Sequence, residues 1–360
     1  MDETELLLDE NNLVYVTDAT PGITRKPDKG GFKYYDKNGN LVQDAKTLER
    51  IKRLVLPPAW INVWIAPKAN AHLQATGFDK AGRKQYRYHN DWAKSRNESK
   101  FYRLLEFGTK LPLFRKQLQK DLRRKGLDDR KVLAISVSLM QKTLIRIGNE
   151  SYKQLYGSYG LSTLRNKHVK IQGSQIRLSF KGKKGIIHDI KFSDRSLAKL
   201  VKKCRDIPGQ ELFQYYTEDG ERHSIGSGLI NKYIKEISCC DFTAKDFRTW
   251  YGTLEALRIY SRLEYHETIT ARKKISNIVL DEVSSKLGNT RAVCKKYYVF
   301  PALTEAYEAG ELLPYLRKMR NISSQDEGFG LSSEEKLLLN FLKKEQKKGK
   351  KIGNGISLRA

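Results

Sequence analysis

Apolar positions recur along this chain with two periods, and the change from one to the other divides it. Up to about residue 90 the spacing is mostly that of strands. Leu13-Val14-Tyr15-Val16 predicts a short strand, and Phe32 to Leu41 a hairpin around Asp36-Lys37-Asn38-Gly39. Ile61, Val63 and Ile65 alternate with Asn62, Trp64 and Ala66, as a half-buried strand requires. His72–Thr76 and Arg83–Tyr88 predict a strand pair across the loop Gly77–Gly82. One helix interrupts this run: Leu48, Ile51, Leu54 and Val55 recur at helical spacing over Ala45–Val55, until Pro57-Pro58 stops them.

Asn90–Ser99 is polar and predicts a linker, with Trp92 as an anchor. Beyond it the period is helical: Phe101–Phe107, Pro112–Leu122, then Lys131–Ile147 with a stripe of Leu133, Val137, Met140, Leu144 and Ile147. The exception is residues 167–192, where Val169/Ile171, Ile176/Leu178/Phe180 and Ile186/His188/Ile190 predict a three-stranded meander. Helices follow over Leu197–Ile207, Ser224–Ile237 and Lys245–Leu263, the last opened by the capping-box pattern Thr243-Ala244-Lys245-Asp246. An amphipathic run, Ile278–Leu287, breaks at Gly288-Asn289. Thr290 then caps a short helix that Pro301 ends. A helix over Ala302–Tyr307, a polar stretch around Gln325–Gly330 and a last helix capped at Ser332-Ser333-Glu334-Glu335 complete the chain. Lys343–Lys351, almost all Lys, Glu, Gln and Gly, predicts a disordered basic tail. The fold class is α+β: a small mixed amino-terminal domain (1–90), a linker (91–99), a larger, mainly helical domain carrying the meander (100–321), and a carboxy-terminal helix with its tail (322–360).

Charge adds a partner. Of 360 residues, 68 are Lys or Arg against 41 Asp or Glu, a formal net charge of +27. Such an excess repels itself unless an anion offsets it, and a long polyanion such as nucleic acid is the natural one. No apolar run approaches the length of a membrane span, and the acidic start Met1-Asp2-Glu3-Thr4-Glu5 is unlike a secretory signal. The cysteines Cys204, Cys239, Cys240 and Cys294 have no metal-ligand spacing, and free thiols point to a reducing, cytoplasmic setting.

Within this frame a few residues stand out. Gly82-Arg83-Lys84-Gln85-Tyr86-Arg87-Tyr88-His89 interleaves basic and aromatic side chains, which suits contact with phosphates and sugars. The meander's second turn, Lys181-Gly182-Lys183-Lys184-Gly185, carries three lysines but lacks the pattern of a phosphate-binding P-loop, so hairpin-tip solvation is its simplest reading. Arg146 flanks an apolar stripe at a helix end, with Glu150 as a ready partner; Arg248 sits on the rim of another. Tyr297 and Tyr298 end a basic helix. That stretch alone leaves them open as core residues, phosphate contacts or nucleophiles.

Six segments in order resemble the type IB DNA topoisomerases of the compact poxvirus-like and bacterial kind, over roughly residues 10–320. They are Ala75–Asp79 with Gly82–His89; Ile145-Arg146-Ile147-Gly148-Asn149; Leu164-Arg165-Asn166-Lys167-His168-Val169; Phe180-Lys181-Gly182-Lys183; Lys245-Asp246-Phe247-Arg248-Thr249; and Gly288–Tyr298. The resemblance implies a tyrosine recombinase/topoisomerase IB-like catalytic domain. It implies Tyr298 as nucleophile, Arg146 and Arg248 as the catalytic arginines, Lys183 as the hairpin lysine and Asn289 where many relatives carry histidine. It further implies DNA contacts by Arg83, Lys84, Tyr86, Arg87, Tyr88 and Lys167, a monomer clamped on duplex DNA at the nucleoid, and relaxation without ATP, metal or another cofactor. A tyrosine recombinase, or a protein that only binds DNA, is the alternative; Lys245-Asp246-Phe247-Arg248 lacks the His-x-x-Arg usual in recombinases.

Overall fold

The computed structural model describes residues 3–322 and 328–356. The chain forms two compact units, Met1–Phe101 and Tyr102–Ala360.

The first unit contains α1 (Glu3–Glu10), β1 (Ile23–Asp28), β2 (Gly31–Tyr35), α2 (Ala45–Arg53), β3 (Ile61–Ile65), β4 (Leu73–Phe78) and β5 (Lys84–Tyr88). The strands form one antiparallel sheet in the order β2-β1-β3-β4-β5. Ile51 of α2 joins Ile23, Val63, Ile65 and Ala75 in a buried cluster against the sheet. Two expectations change here. Leu13–Val16 is not a strand; only Val14 bridges, to Ala71, because the Val16 amide donates to the His72 ring instead. The main hairpin is β1–β2, turning at Gly30 (φ +84°). The Asp36–Gly39 turn exists, with the Asp36 carboxylate accepting from the Asn38 and Asn40 amides at 2.8 Å, but it returns the chain for a single bridge, Tyr35 to Leu41. The charges and Pro27 of β1 conceal its strand character.

The expected linker is helix. α3 runs unbroken from Asn90 to Leu122. Its polar start still carries Trp92, buried with Leu7, Leu8 and Leu13, so packing rather than composition decides the structure there. Pro112 lies inside it and removes one backbone bond. The stripe Leu104, Phe107, Leu111, Phe114 and Leu118, all buried, offsets that loss.

The second unit continues with α4 (Asp129–Thr143), α5 (Glu150–Tyr156), the meander β6 (Val169–Gln172), β7 (Gln175–Lys181) and β8 (Ile187–Ser193), then α6 (Arg195–Arg205). A small hairpin, β9 (Gln214–Tyr216) and β10 (Arg222–Ser224), precedes α7 (Ser227–Ser238), α8 (Ala244–Arg262), α9 (Ile269–Leu287), α10 (Arg291–Tyr297), α11 (Pro301–Glu308), α12 (Leu313–Arg320) and α13 (Ser333–Ile356). Phe107 and Phe114 of α3 meet Phe247 of α8 edge-on at 4.9 and 5.2 Å, and all three are fully buried. This aromatic centre fixes α8, on which much of the site rests. β9–β10 and α12 were not anticipated; they are too short to show a period. The expected disordered tail is helical instead, since α13 continues to Ile356. Its Lys and Glu residues are good helix formers, and Lys348 pairs with Glu311 at 2.5 Å and Glu345 at 3.0 Å. Residues 325–327 of the expected polar stretch lie outside the described residues.

Candidate active site

α4 ends sooner than its apolar stripe predicts. Leu144 takes a left-handed conformation (φ 54°) and bonds back to the Met140 carbonyl at 2.8 Å. Arg146 therefore lies on irregular chain beyond the helix end. That chain is held by Leu161 and Ser162, whose amides donate to the Arg146 and Ile147 carbonyls at 2.8 and 2.7 Å. The approach is so close that a Cβ on Gly160 would stand 2.6 Å from the Gly148 Cα, and Gly148 itself has φ +90°. Only glycine fits both positions. Arg146 does not pair with Glu150, which bonds Lys153 at 2.9 Å. Its Nη2 donates to the Asn289 Oδ1.

Arg248 lies in the second turn of α8, and the predicted capping box starts that helix: the Thr243 amide donates to Asp246 at 2.8 Å and the Thr243 hydroxyl accepts from Lys245 at 3.3 Å. The sequence puts Arg248 on the rim of a stripe; the fold buries it, with 3% exposed. Its guanidinium donates through Nη1 to the Leu144 carbonyl and through Nη2 to the Leu287 carbonyl at 2.7 Å. The group thus ties the end of α4 and the end of α9 to α8. Burial lowers its pKa and Arg146 adds to that effect, while Tyr298 opposes it.

Gly288 closes α9 in the left-handed conformation (φ 59°). The next amide, of Asn289, donates to the Ser284 carbonyl at 2.9 Å, and Thr290 caps α10. Tyr298 is the C-cap residue of α10. Its carbonyl accepts from the Thr253 hydroxyl of α8 at 3.3 Å, and its ring faces the Arg248 guanidinium, 5.1 Å from Cζ to centroid. The Tyr297 ring instead carries the ammonium groups of Lys245 and Lys296, at 5.7 and 5.4 Å. The structure thus brings Arg146, Arg248 and the Gly288–Tyr298 segment, with Asn289 and Tyr298, together from three separate stretches. Two donors in this group, Asn289 Nδ2 and Arg248 Nε, are buried and have no hydrogen-bond partner among the described residues. A buried donor without an acceptor is unfavourable, which marks both as candidates for a bound anion.

Lys183 opens the turn between β7 and β8, and its Nζ lies over the Tyr152 ring at 5.4 Å. Sequence reasoning gave no role to His188, which β8 directs inward. It stacks on Phe180 at 4.9 Å, and burial, then Arg146 and Arg248, lower its pKa. The alternation had already grouped it with Ile186 and Ile190; a histidine at an inward strand position was the signal available.

In the first unit, β5 is an edge strand with Tyr86 and Tyr88 50% and 42% exposed and their rings stacked at 6.1 Å. Arg87 between them is exposed. The neighbouring cations are engaged: Arg83 with Asp79 at 2.7 Å and Lys84 with Asp18 at 2.5 Å. Lys167, in the second unit, is exposed just before β6.

Comparison with known proteins agrees with this arrangement. A family model described as the eukaryotic DNA topoisomerase I catalytic core matches residues 84–312, and one described as the bacterial DNA topoisomerase IB N-terminal domain matches residues 31–79. DNA topoisomerase 1B of Acanthamoeba polyphaga mimivirus is 33% identical over 294 residues, covering 80% of this chain and 88% of that protein. DNA topoisomerase 1B of vaccinia virus (strain Copenhagen) is 22% identical over 301 residues, covering 81% and 92%. DNA topoisomerase 1 of rabbit fibroma virus (strain Kasza) is 22% identical over 284 residues, covering 77% and 87%.

Proposed function

The chain belongs to the type IB DNA topoisomerases, and on that premise we infer that it relaxes supercoiled duplex DNA by cutting and rejoining one strand. Tyr298 Oη attacks the phosphorus, the bond to the 5′-oxygen breaks, and the chain is held through a 3′-phosphotyrosyl ester while the other end swivels. The 5′-hydroxyl then attacks the same phosphorus and releases Tyr298. One ester replaces another at each step, so no ATP is required.

Charge builds on the non-bridging oxygens as the phosphorus becomes pentacoordinate. Arg146, Arg248 and Asn289 are the donors for that charge, and a dry, prearranged site makes each more effective than it would be in water. Arginine serves as a planar fork that does not lose its proton. The partnerless donors Asn289 Nδ2 and Arg248 Nε, buried beside Tyr298, are the observation that carries this reading. Phenol is a weak nucleophile, and the Arg248 guanidinium faces the Tyr298 ring. Lys183, on its hairpin, gives the departing 5′-oxygen a proton. Arg83, Lys84, Tyr86, Arg87, Tyr88 and Lys167 contact the duplex. The enzyme acts as a monomer, in the cytoplasm, on nucleoid DNA; no described helix is long and apolar enough to cross a membrane.

Supercoiled plasmid incubated in EDTA without ATP tests the reading. Wild type relaxes it and Tyr298→Phe does not. An inert wild type, or equal relaxation by the variant, would sink the proposal. The relatives favour relaxation over strand exchange or simple binding.

A further inference from the structure

The Lys183 turn and the Asn289 turn come from different parts of the chain, and one side chain touches both. A Cβ built on Gly182 would lie 2.7 Å from His188 Cδ2 and Nε2. A Cβ built on Gly288 would lie 2.5 Å from His188 Cε1 and 2.9 Å from Nε2. The outer edge of the imidazole therefore fills the gap between these two glycines, and Phe180, its cross-strand partner in β7, supports its face. Gly182 immediately precedes Lys183; Gly288 immediately precedes Asn289.

We propose that His188 is a positioning residue: a wedge that sets the distance between the hairpin bearing Lys183 and the turn bearing Asn289. The proposal rests on the topoisomerase reading above. A ring suits the gap because it is flat, stiff and supported on one face. Its charge state suits the place as well. The charged groups acting on it are Arg146, from the chain after α4, and Arg248, from α8. The hairpin contributes Gly182, β7 the apolar Phe180, and the turn after α9 Gly288. A third cation here would repel both arginines, and burial beside them favours the neutral ring. Neutral, the side chain occupies space without competing for the phosphate.

Geometry of this kind acts on rate more than on affinity, because DNA is held by many contacts elsewhere while the reacting atoms tolerate little displacement. The space argument also makes a reciprocal prediction. Among described atoms, the contacts nearest a Gly182 Cβ belong to the His188 ring, the next being the Ile186 carbonyl oxygen at 3.4 Å. Gly182 has φ −91°, which alanine adopts without strain. Adding a methyl at 182 should therefore do harm only while the ring is present.

The experiment measures single-turnover cleavage of a suicide duplex, whose short leaving strand diffuses away, together with the Kd for the same duplex. His188→Ala should slow cleavage about 100-fold and leave Kd within about twofold. Gly182→Ala should slow cleavage about tenfold or more in the wild-type background and by no more than about twofold in His188→Ala. Cleavage by His188→Ala at the wild-type rate would overturn the proposal, as would an equal loss from Gly182→Ala in both backgrounds. If circular dichroism shows His188→Ala unfolded, His188→Gln takes its place: slower cleavage at unchanged Kd supports the wedge, and wild-type cleavage overturns it. A wild type that forms no adduct overturns the topoisomerase reading instead, so the two failures are distinct.

Discussion

Arg146 and Arg248 share one proposed task but have different surroundings, and their alanine variants should differ accordingly. Each substitution should slow cleavage by about 100- to 1,000-fold, the usual effect of losing one donor to a charged transition state. Arg248→Ala also leaves the Leu144 and Leu287 carbonyls without their donor, so urea denaturation should show it less stable by about 2 kcal/mol or more. Arg146 is half-buried and donates to another side chain; its loss should change stability by less than about 1 kcal/mol. Equal stability of the two variants would refute the distinction. His168 gives a pH dependence. Its ring is buried, accepts the Arg165 amide at 3.0 Å and has a pKa pushed down to about 4, by burial first and then by Lys167 and Arg165. The unfolded chain takes up this proton at about pH 6.5, so stability from this group is complete above that pH and falls as pH drops toward 4. Between pH 7 and pH 5 the fold should lose about 2 kcal/mol on this account. His168→Gln should flatten the slope without abolishing it, since His188 and His72 are shifted in the same direction. A steeper slope in the variant would contradict the assignment. At this scale the sequence singles out the candidate side chains but not their partners. Arg146 and Asn289 are 143 positions apart, and no local pattern marks Arg248 as buried rather than on a rim.

Among elements, the chain reads well where periodicity and punctuation agree. The meander, the α8 capping box and the left-handed Gly288 stop all follow from local chemistry. It reads poorly where composition suggests irregular chain but packing or helix propensity decides, as at Asn90–Ser99 and Lys343–Lys351 respectively. α13 shows why the latter region is ordered. Glu335, 2% exposed, accepts two bonds from Arg115 at 2.7 and 2.9 Å, and also receives the Ser332 amide at 2.9 Å. Beneath it Leu338, Phe341 and Leu342 are buried. The helix is part of the core, not an appendage. Glu335→Ala would leave the Arg115 cation uncompensated in a largely buried place. Chemical denaturation should show a loss of about 3–5 kcal/mol; a loss below about 1 kcal/mol would mean that α13 docks through its apolar face alone.

For the whole molecule, an excess of 27 positive charges makes DNA affinity fall steeply with salt, by a slope of about 0.9 per phosphate neutralised. Arg87→Ala should reduce that slope by about one. Lys84→Ala should reduce it by less, because a contact between Lys84 and phosphate competes with its pair to Asp18. Filter binding across a salt series would show the order, and a larger effect at Lys84 would reverse the argument. The guanidinium of Arg248 has a further consequence, for the time course of folding. Its two acceptors lie 104 and 39 residues away along the chain. Closing loops of that length is entropically unfavourable until other packing has brought their ends together. The group that faces Tyr298 therefore finds its partners only once α4, α8 and α9 have packed. Completion of the site thus waits on the packing of the helical core.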